Sequence, residues 1–130
     1  MFKDPKFDDI RPYYEEEIPD AMVRIANSSS FPLLASYVCP DEPLETVRQR
    51  IAGYKTVRDF QTETMRMVNE RVIAQSITEF TCDGIERLDP KENCLYVSNH
   101  RDIMLDSSLL QYFLVTQGSD TTEMTFGANL

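Results

Sequence analysis

The residues best suited to chemistry lie close together, at positions 100–106. His100 is the single histidine of the chain, and two carboxylates, Asp102 and Asp106, follow it. An imidazole accepts a proton at neutral pH, and a neighbouring carboxylate fixes its tautomer and stabilises the imidazolium. The residue types therefore indicate a general base with an aspartate partner. A purely structural histidine is the alternative that they leave open.

Each neighbour of His100 also has a possible structural role. If the residues from Ile103 onward are helical, Asp102 and Asp106 lie four residues apart on one face, and both approach the imidazole. Asp102 also stands where the N-cap of that helix is expected, and this role competes with a catalytic one. For Arg101, a salt bridge to its neighbours competes with a substrate contact.

The elements around His100 carry the pattern of alternating strands and helices. Residues 77–82 and 122–126 alternate apolar and polar side chains, and 94–97 is a short apolar run with β-favouring residues, so each predicts a strand. Residues 103–118 have the spacing of a buried helix. Strand, loop, helix and strand in this order predict a βαβ unit, with His100 at the carboxyl end of a strand.

The first part of the chain has a helical pattern interrupted by prolines. Apolar spacing predicts three short helices, over residues 18–25, 31–38 and 44–51. Thr56 and Asp59 resemble a helix cap and its downstream acid, and they open a longer predicted helix that ends near Gln75. The predicted fold class is therefore α/β. A helical N-terminal extension, 1–77, precedes the start of a mainly parallel sheet covered by helices, 78–130.

Residues 98–106 read Ser-Asn-His-Arg-Asp-Ile-Met-Leu-Asp, which resembles the first signature block of the glycerolipid acyltransferase family. That family includes glycerol-3-phosphate and 1-acylglycerol-3-phosphate acyltransferases. The preceding Cys-Asp-Gly-Ile-Glu-Arg-Leu at 82–88 is similar to its apolar-x-Gly-x-Glu strand. The resemblance covers 78–130, and the N-terminal part looks like the extension of a bacterial subgroup. Asp106 departs from the family pattern, because five residues separate it from His100 where the family has four.

The resemblance implies acyl transfer from acyl-coenzyme A or acyl carrier protein to a glycerophosphate hydroxyl, without a cofactor or a metal. His100 would take the hydroxyl proton, and the alkoxide would attack the thioester. Asp106, or else Asp102, would orient His100. Asn99 and Arg101 are the expected substrate contacts. A cytoplasmic enzyme is expected, with peripheral contact to lipid at the inner face of the membrane.

The family's later blocks, of Phe-x-x-Arg and Glu-Gly-Thr-Arg type, supply a phosphate-binding arginine and shape the acceptor site. Neither occurs in these 130 residues. We therefore expect the chain to be the N-terminal part of a longer acyltransferase. As an isolated α/β fragment it is expected to be inactive.

Composition limits the alternatives. The chain has 22 acidic and 13 basic residues and a net charge of -9, so it is not expected to bind nucleic acid. Its three cysteines lack metal-binding spacing and fit a reduced cytosolic compartment. Residues 44–77 form the only long stretch that is not acidic overall. The alternative function is therefore a noncatalytic helical module that binds lipid or a partner.

Overall fold

The computed structural model describes residues 4–89, 92–99 and 101–124. Contacts within the chain divide it into two units, which we call unit 1, Met1–Phe60, and unit 2, Gln61–Leu130. Helix accounts for 58% of the described residues, and none of them forms a strand. The described part of the chain is therefore helical in class.

The predicted short helices of unit 1 are confirmed. Its α-helices are α1 Ile18–Ala26, α2 Phe31–Val38, α3 Leu44–Gly53 and α4 Val57–Phe60. Pro19 and Pro32 stand in the first turns of α1 and α2. Backbone N–H groups there have no hydrogen-bond partner within the helix, so a proline, which lacks the N–H, costs no helix bond. Two 3₁₀ turns, Pro5–Phe7 and Glu15–Glu17, precede α1.

Unit 1 has an apolar interior, in which α1 and α2 each pack against α3. The buried apolar side chains are those of Ile18, Ala21, Met22, Ala26, Phe31, Ala35, Cys39, Val47, Ile51 and Tyr54. Arg48 reaches across this core from α3. Its guanidinium lies 5.1 Å from the centre of the Phe31 ring and donates to the carbonyl of Ala26, the last residue of α1. Arg48 therefore gives a hydrogen-bond donor to a carbonyl that has no donor within α1, because it lies in the last turn of that helix.

An ion pair ties α3 to the segment before it. The Arg50 guanidinium donates two hydrogen bonds to the Glu42 carboxylate, at 2.8 and 3.0 Å, and lies 3.3 Å from Cys39 Sγ. Hydrogen bonding from Arg50 lowers the pKa of Glu42, and burial raises the pKa of the Cys39 thiol. The ionised pair therefore holds the loop between α2 and α3 against α3.

The predicted cap at Thr56 is also confirmed. The Asp59 backbone N–H donates to Thr56 Oγ1, and the Thr56 N–H donates to Asp59 Oδ2, both at 3.0 Å. Hydrogen bonding to Thr56 lowers the pKa of Asp59. The helix that begins here was predicted to continue to Gln75, but it includes a π-helical turn at Gln61–Met65.

Unit 2 contains that π-helical turn, α5 Arg66–Ser76, a 3₁₀ turn Ile85–Arg87 and α6 Leu105–Thr116. α6 confirms the helix predicted within 103–118. α6 ends at Thr116, and Gly118 follows two residues later with a φ of 82°, the left-handed conformation that favours glycine. The N–H of Gly118 donates to the Val115 carbonyl and that of Ser119 to the Leu114 carbonyl, which is a Schellman motif.

The predicted α/β class is wrong for the described residues. Residues 77–82, 94–97 and 122–124 were expected as strands, yet none of them forms one, and 125–126 lie outside the described residues. A strand is stabilised by cross-strand pairing and by burial of one face. The side chains of Leu95 and Val97 are 90% and 87% exposed, so they have no such packing. The predicted domain boundary at 77/78 is not tested by the division into units and stays a prediction.

Polar contacts hold α5 and α6 together in unit 2. Ser108 Oγ donates to Asn69 Oδ1 at 2.7 Å, and Asn69 Nδ2 donates to the Ser108 carbonyl at 3.2 Å. Both residues are buried. Beside them, the Phe80 ring stacks on the ring of Phe113 with centres 4.2 Å apart. These contacts fix the orientation of α6, whose first turn carries the candidate site.

Candidate active site

Asp102 caps the start of α6. Its carboxylate Oδ1 accepts hydrogen bonds from the backbone N–H groups of Met104 and Leu105, at 2.9 and 2.8 Å. These N–H groups have no partner inside the helix, and a negative charge also complements the positive end of the helix dipole. The capping role that competed with catalysis at Asp102 is therefore present.

Asp106 binds the same turn from the opposite direction. Its Oδ2 accepts from the backbone N–H of Arg101 at 2.6 Å and from that of Asp102 at 3.0 Å. The two carboxylates thus hold the loop against the first turn of α6 by reciprocal bonds. This arrangement restricts the backbone immediately after position 100.

The structure places the predicted site residues as follows. Arg101, Asp102 and Asp106 are brought together by the hydrogen bonds of this turn. Asn99 is exposed and ends the described segment 92–99. His100, the predicted base, lies outside the described residues. The roles proposed for these five residues therefore stay predictions.

A wide groove of about 1390 Å³ lies in unit 2 beside this turn. Polar side chains of Asn99, Asp102 and Asp106 line part of it. Apolar side chains line much of the rest: Leu88, Leu95, Val97, Ile103, Leu109, Leu110, Phe113 and Met124. The groove therefore offers apolar surface to a ligand and carboxylate and amide groups beside it.

The sequence alone did not predict that these residues line one groove. Leu95 and Val97 were interpreted as a buried strand, and Leu109 and Leu110 as the buried face of a helix. Nor did it find the Asn69–Ser108 pair that fixes α6. No local pattern marks this pair, because its two residues lie 39 positions apart in the sequence.

The charge around the site is negative. Residues 98–124 contain one basic residue, Arg101, and the acids Asp102, Asp106, Asp120 and Glu123. Tyr96 also lines the groove, and desolvation raises the pKa of its phenol. Among the described residues, no three His, Cys, Asp or Glu side chains are placed to bind one metal ion.

The stretch 44–77 does not present a row of unpaired cations. The arginines Arg48, Arg50 and Arg66 form ion pairs with Glu45, Glu42 and Glu70, at 3.5, 2.8 and 3.0 Å. The Arg48–Glu45 and Arg66–Glu70 pairs join residues three and four apart, as expected of a solvated helix face. The Arg50–Glu42 pair instead ties α3 to the loop before it. This pairing weakens the case for a surface that binds lipid headgroups.

Within the described ranges, no helix has the length and apolar character needed to cross a membrane. Comparison with known proteins gives no relative from which a role can be transferred to these residues. No family model, no curated protein and no solved structure matches the chain.

Proposed function

We propose that this chain carries the catalytic base of a glycerolipid acyltransferase, which transfers an acyl group from acyl-coenzyme A or acyl carrier protein to a glycerophosphate hydroxyl. The observation that carries the proposal is the segment 98–106. Its sequence resembles the family's first block, and its two aspartates bind the backbone on either side of one turn. That turn begins directly after His100.

His100 takes the proton of the acceptor hydroxyl in this mechanism. The hydroxyl oxygen then attacks the thioester carbonyl, the carbon–sulfur bond breaks as the acyl ester forms, and the protonated His100 returns its proton to the departing thiolate. Asp106 is the proposed positioning residue for the imidazole, and Asp102 is the rival. Each of the two carboxylates accepts two backbone N–H bonds on one oxygen, so these bonds do not rank them. Asp106 is preferred because it lies next to the position of the aspartate in the family's block.

The groove supports a lipid substrate. The groove beside Asp106 measures about 1390 Å³, which leaves room for an acyl chain. Its apolar lining suits an acyl chain, because burial of each methylene contributes about 0.8 kcal/mol. Side chains of Asn99 and Asp102 mark the polar part, where the reacting oxygen would lie.

The acceptor phosphate needs cations that residues 98–130 do not supply. Arg101 is the one basic residue there, against four acids, so this neighbourhood repels a glycerophosphate. Positioning and charge stabilisation of the acceptor are needed for turnover. We therefore expect the 130-residue chain by itself to show no acyl transfer.

The test is thioester consumption by the complete product of the gene, measured beside the 130-residue chain. Glycerol-3-phosphate and its 1-acyl derivative serve as acceptors, and reactions without acceptor are the control for simple hydrolysis. The proposal predicts acceptor-dependent release of thiol by the complete product. Binding to lipid vesicles without any acceptor-dependent release would instead support the noncatalytic module and contradict the proposal.

A further inference from the structure

A second, much smaller cavity lies in unit 2, apart from the turn at 98–106. It measures about 10 Å³ and lies among the π-helical turn, α5, α6 and the segment after α6. Gln61, Asn69, Val115 and Thr121 are among the residues that line it. This volume is close to that of a single water-sized sphere.

Two of the residues that line this cavity each have a buried oxygen atom with no hydrogen-bond partner among the described residues. The two atoms are Gln61 Oε1 and Thr121 Oγ1. An unpartnered buried oxygen is unfavourable, because it has lost its bonds to solvent without replacing them. Two such atoms, on residues that line one cavity of this size, indicate a shared ligand.

We propose that this cavity binds one water molecule, which bridges Gln61 Oε1 and Thr121 Oγ1. Water fits the chemistry of both atoms, since it donates to the amide oxygen and accepts from the threonine hydroxyl. A metal cation does not fit, because no carboxylate lines the cavity and Arg66 does. An anion does not fit either, since the Gln61 oxygen is an acceptor.

The bridge has a structural consequence for the larger groove. Gln61 begins the π-helical turn, and Thr121 lies in the segment that follows α6 and also lines the groove. The neighbouring Thr122 carbonyl accepts from Gln111 Nε2 at 2.6 Å. The water therefore acts beside this bond and holds residues 121–122 against α6.

The sign of a stability change distinguishes a bridging water from two unpartnered atoms. Gln61→Met and Thr121→Val each remove one oxygen with little change of shape. If water bridges the oxygens, each variant leaves that water one partner short, and hydrogen exchange of the α5 and α6 amides rises about fivefold. If the oxygens have no partner, each variant relieves an unfavourable burial and slows exchange. Gln75→Met, at an exposed position of α5, is the matched control and leaves exchange unchanged.

The double variant completes the test. Gln61→Met with Thr121→Val makes the cavity wholly apolar, so a bridging water predicts a combined effect below the product of the two single effects. Slower exchange in either single variant overturns the proposal. So does no change in the single variants, or a double variant whose effect equals the product.

Discussion

Unit 1 and unit 2 bury opposite kinds of side chain. Of the eleven buried apolar residues in the described part of the chain, ten lie in unit 1, and Leu114 is the one in unit 2. All four buried polar residues, Thr64, Asn69, Ser108 and Gln111, lie in unit 2. Unit 1 is therefore held by apolar packing. Unit 2 depends on specific hydrogen bonds, and it leaves the apolar side chains of its groove accessible to a ligand.

The largest stability effect is expected in the core of unit 1. Ile51 is 4% exposed, and Ile51→Ala removes buried methyl groups and leaves a cavity, at a cost of about 2–5 kcal/mol. Ile103→Ala is the matched control in unit 2, because Ile103 is 44% exposed in the groove. Its cost is expected within about 0.5 kcal/mol. Hydrogen exchange of amides in each unit measures both values, and equal costs would contradict the comparison.

The second-largest effect is expected in catalytic activity, when Asp106 in the first turn of α6 is changed. We expect Asp106→Asn in the complete gene product to lower kcat by on the order of 10²-fold, because His100 loses its positioning carboxylate. Asp102→Asn keeps an amide oxygen that accepts from Met104 and Leu105, and a smaller loss is expected. Steady-state kinetics of the two variants measures the ranking. The reverse order would give the positioning role to Asp102.

The polar interior of unit 2 predicts a third effect. Ser108→Ala removes the hydroxyl that donates to Asn69 Oδ1, and it leaves that buried oxygen without this bond. The expected cost is about 1–3 kcal/mol, measured by exchange of α5 and α6 amides. The neighbouring Ser107→Ala is the control, since the Ser107 hydroxyl donates long hydrogen bonds to the backbone carbonyls of Ile103 and Met104, at 3.4 and 3.5 Å. If the two serines behaved alike, the polar pair would not stabilise unit 2.

The smallest expected effect is a pH-dependent change in the stability of unit 1, which comes from the Arg50–Glu42 ion pair. Arg50 lowers the folded-state pKa of Glu42, so the pair's contribution is complete above the unfolded pKa of about 4.3 and is lost as pH falls through the folded value. Glu42→Gln removes this contribution, which is about 1 kcal/mol or less for a partly exposed pair. The stability difference between wild type and variant should therefore shrink below about pH 4. A difference that is constant from pH 7 to pH 3 would rule out the ion pair as its source.

The same contrast explains which parts of the fold were predictable from sequence. Helical spacing of apolar residues located α1, α2 and α3 because those residues form the apolar core of unit 1. Thr56 with Asp59, and Gly118, were readable because caps use few residue types with known geometry. Sequence patterns of this kind predict a helix correctly where the residues of the pattern also form the buried core.

The same kind of reasoning wrongly predicted strands in unit 2, where none of the described residues forms one. Alternation in 77–82 and 94–97 predicted strands, but a strand also needs a partner with which to pair, and the pattern does not encode one. The π-helical turn and the Asn69–Ser108 pair depend on tertiary contacts and had no local signal. At the candidate site, the capping role of Asp102 was foreseen as an alternative, and the backbone bonds of Asp106 were not.

One measurement tests the central claim most directly, that His100 is the base of an acyl transfer reaction. It is the ratio of acceptor-dependent thioester consumption by the wild-type complete gene product and by its His100→Ala variant, with circular dichroism of both as the check on folding. The proposal predicts a fall of about 10²-fold or more with an unchanged spectrum, since a positioned base contributes on the order of 10²–10⁴-fold. A folded His100→Ala variant that keeps more than about a tenth of the wild-type rate would contradict it.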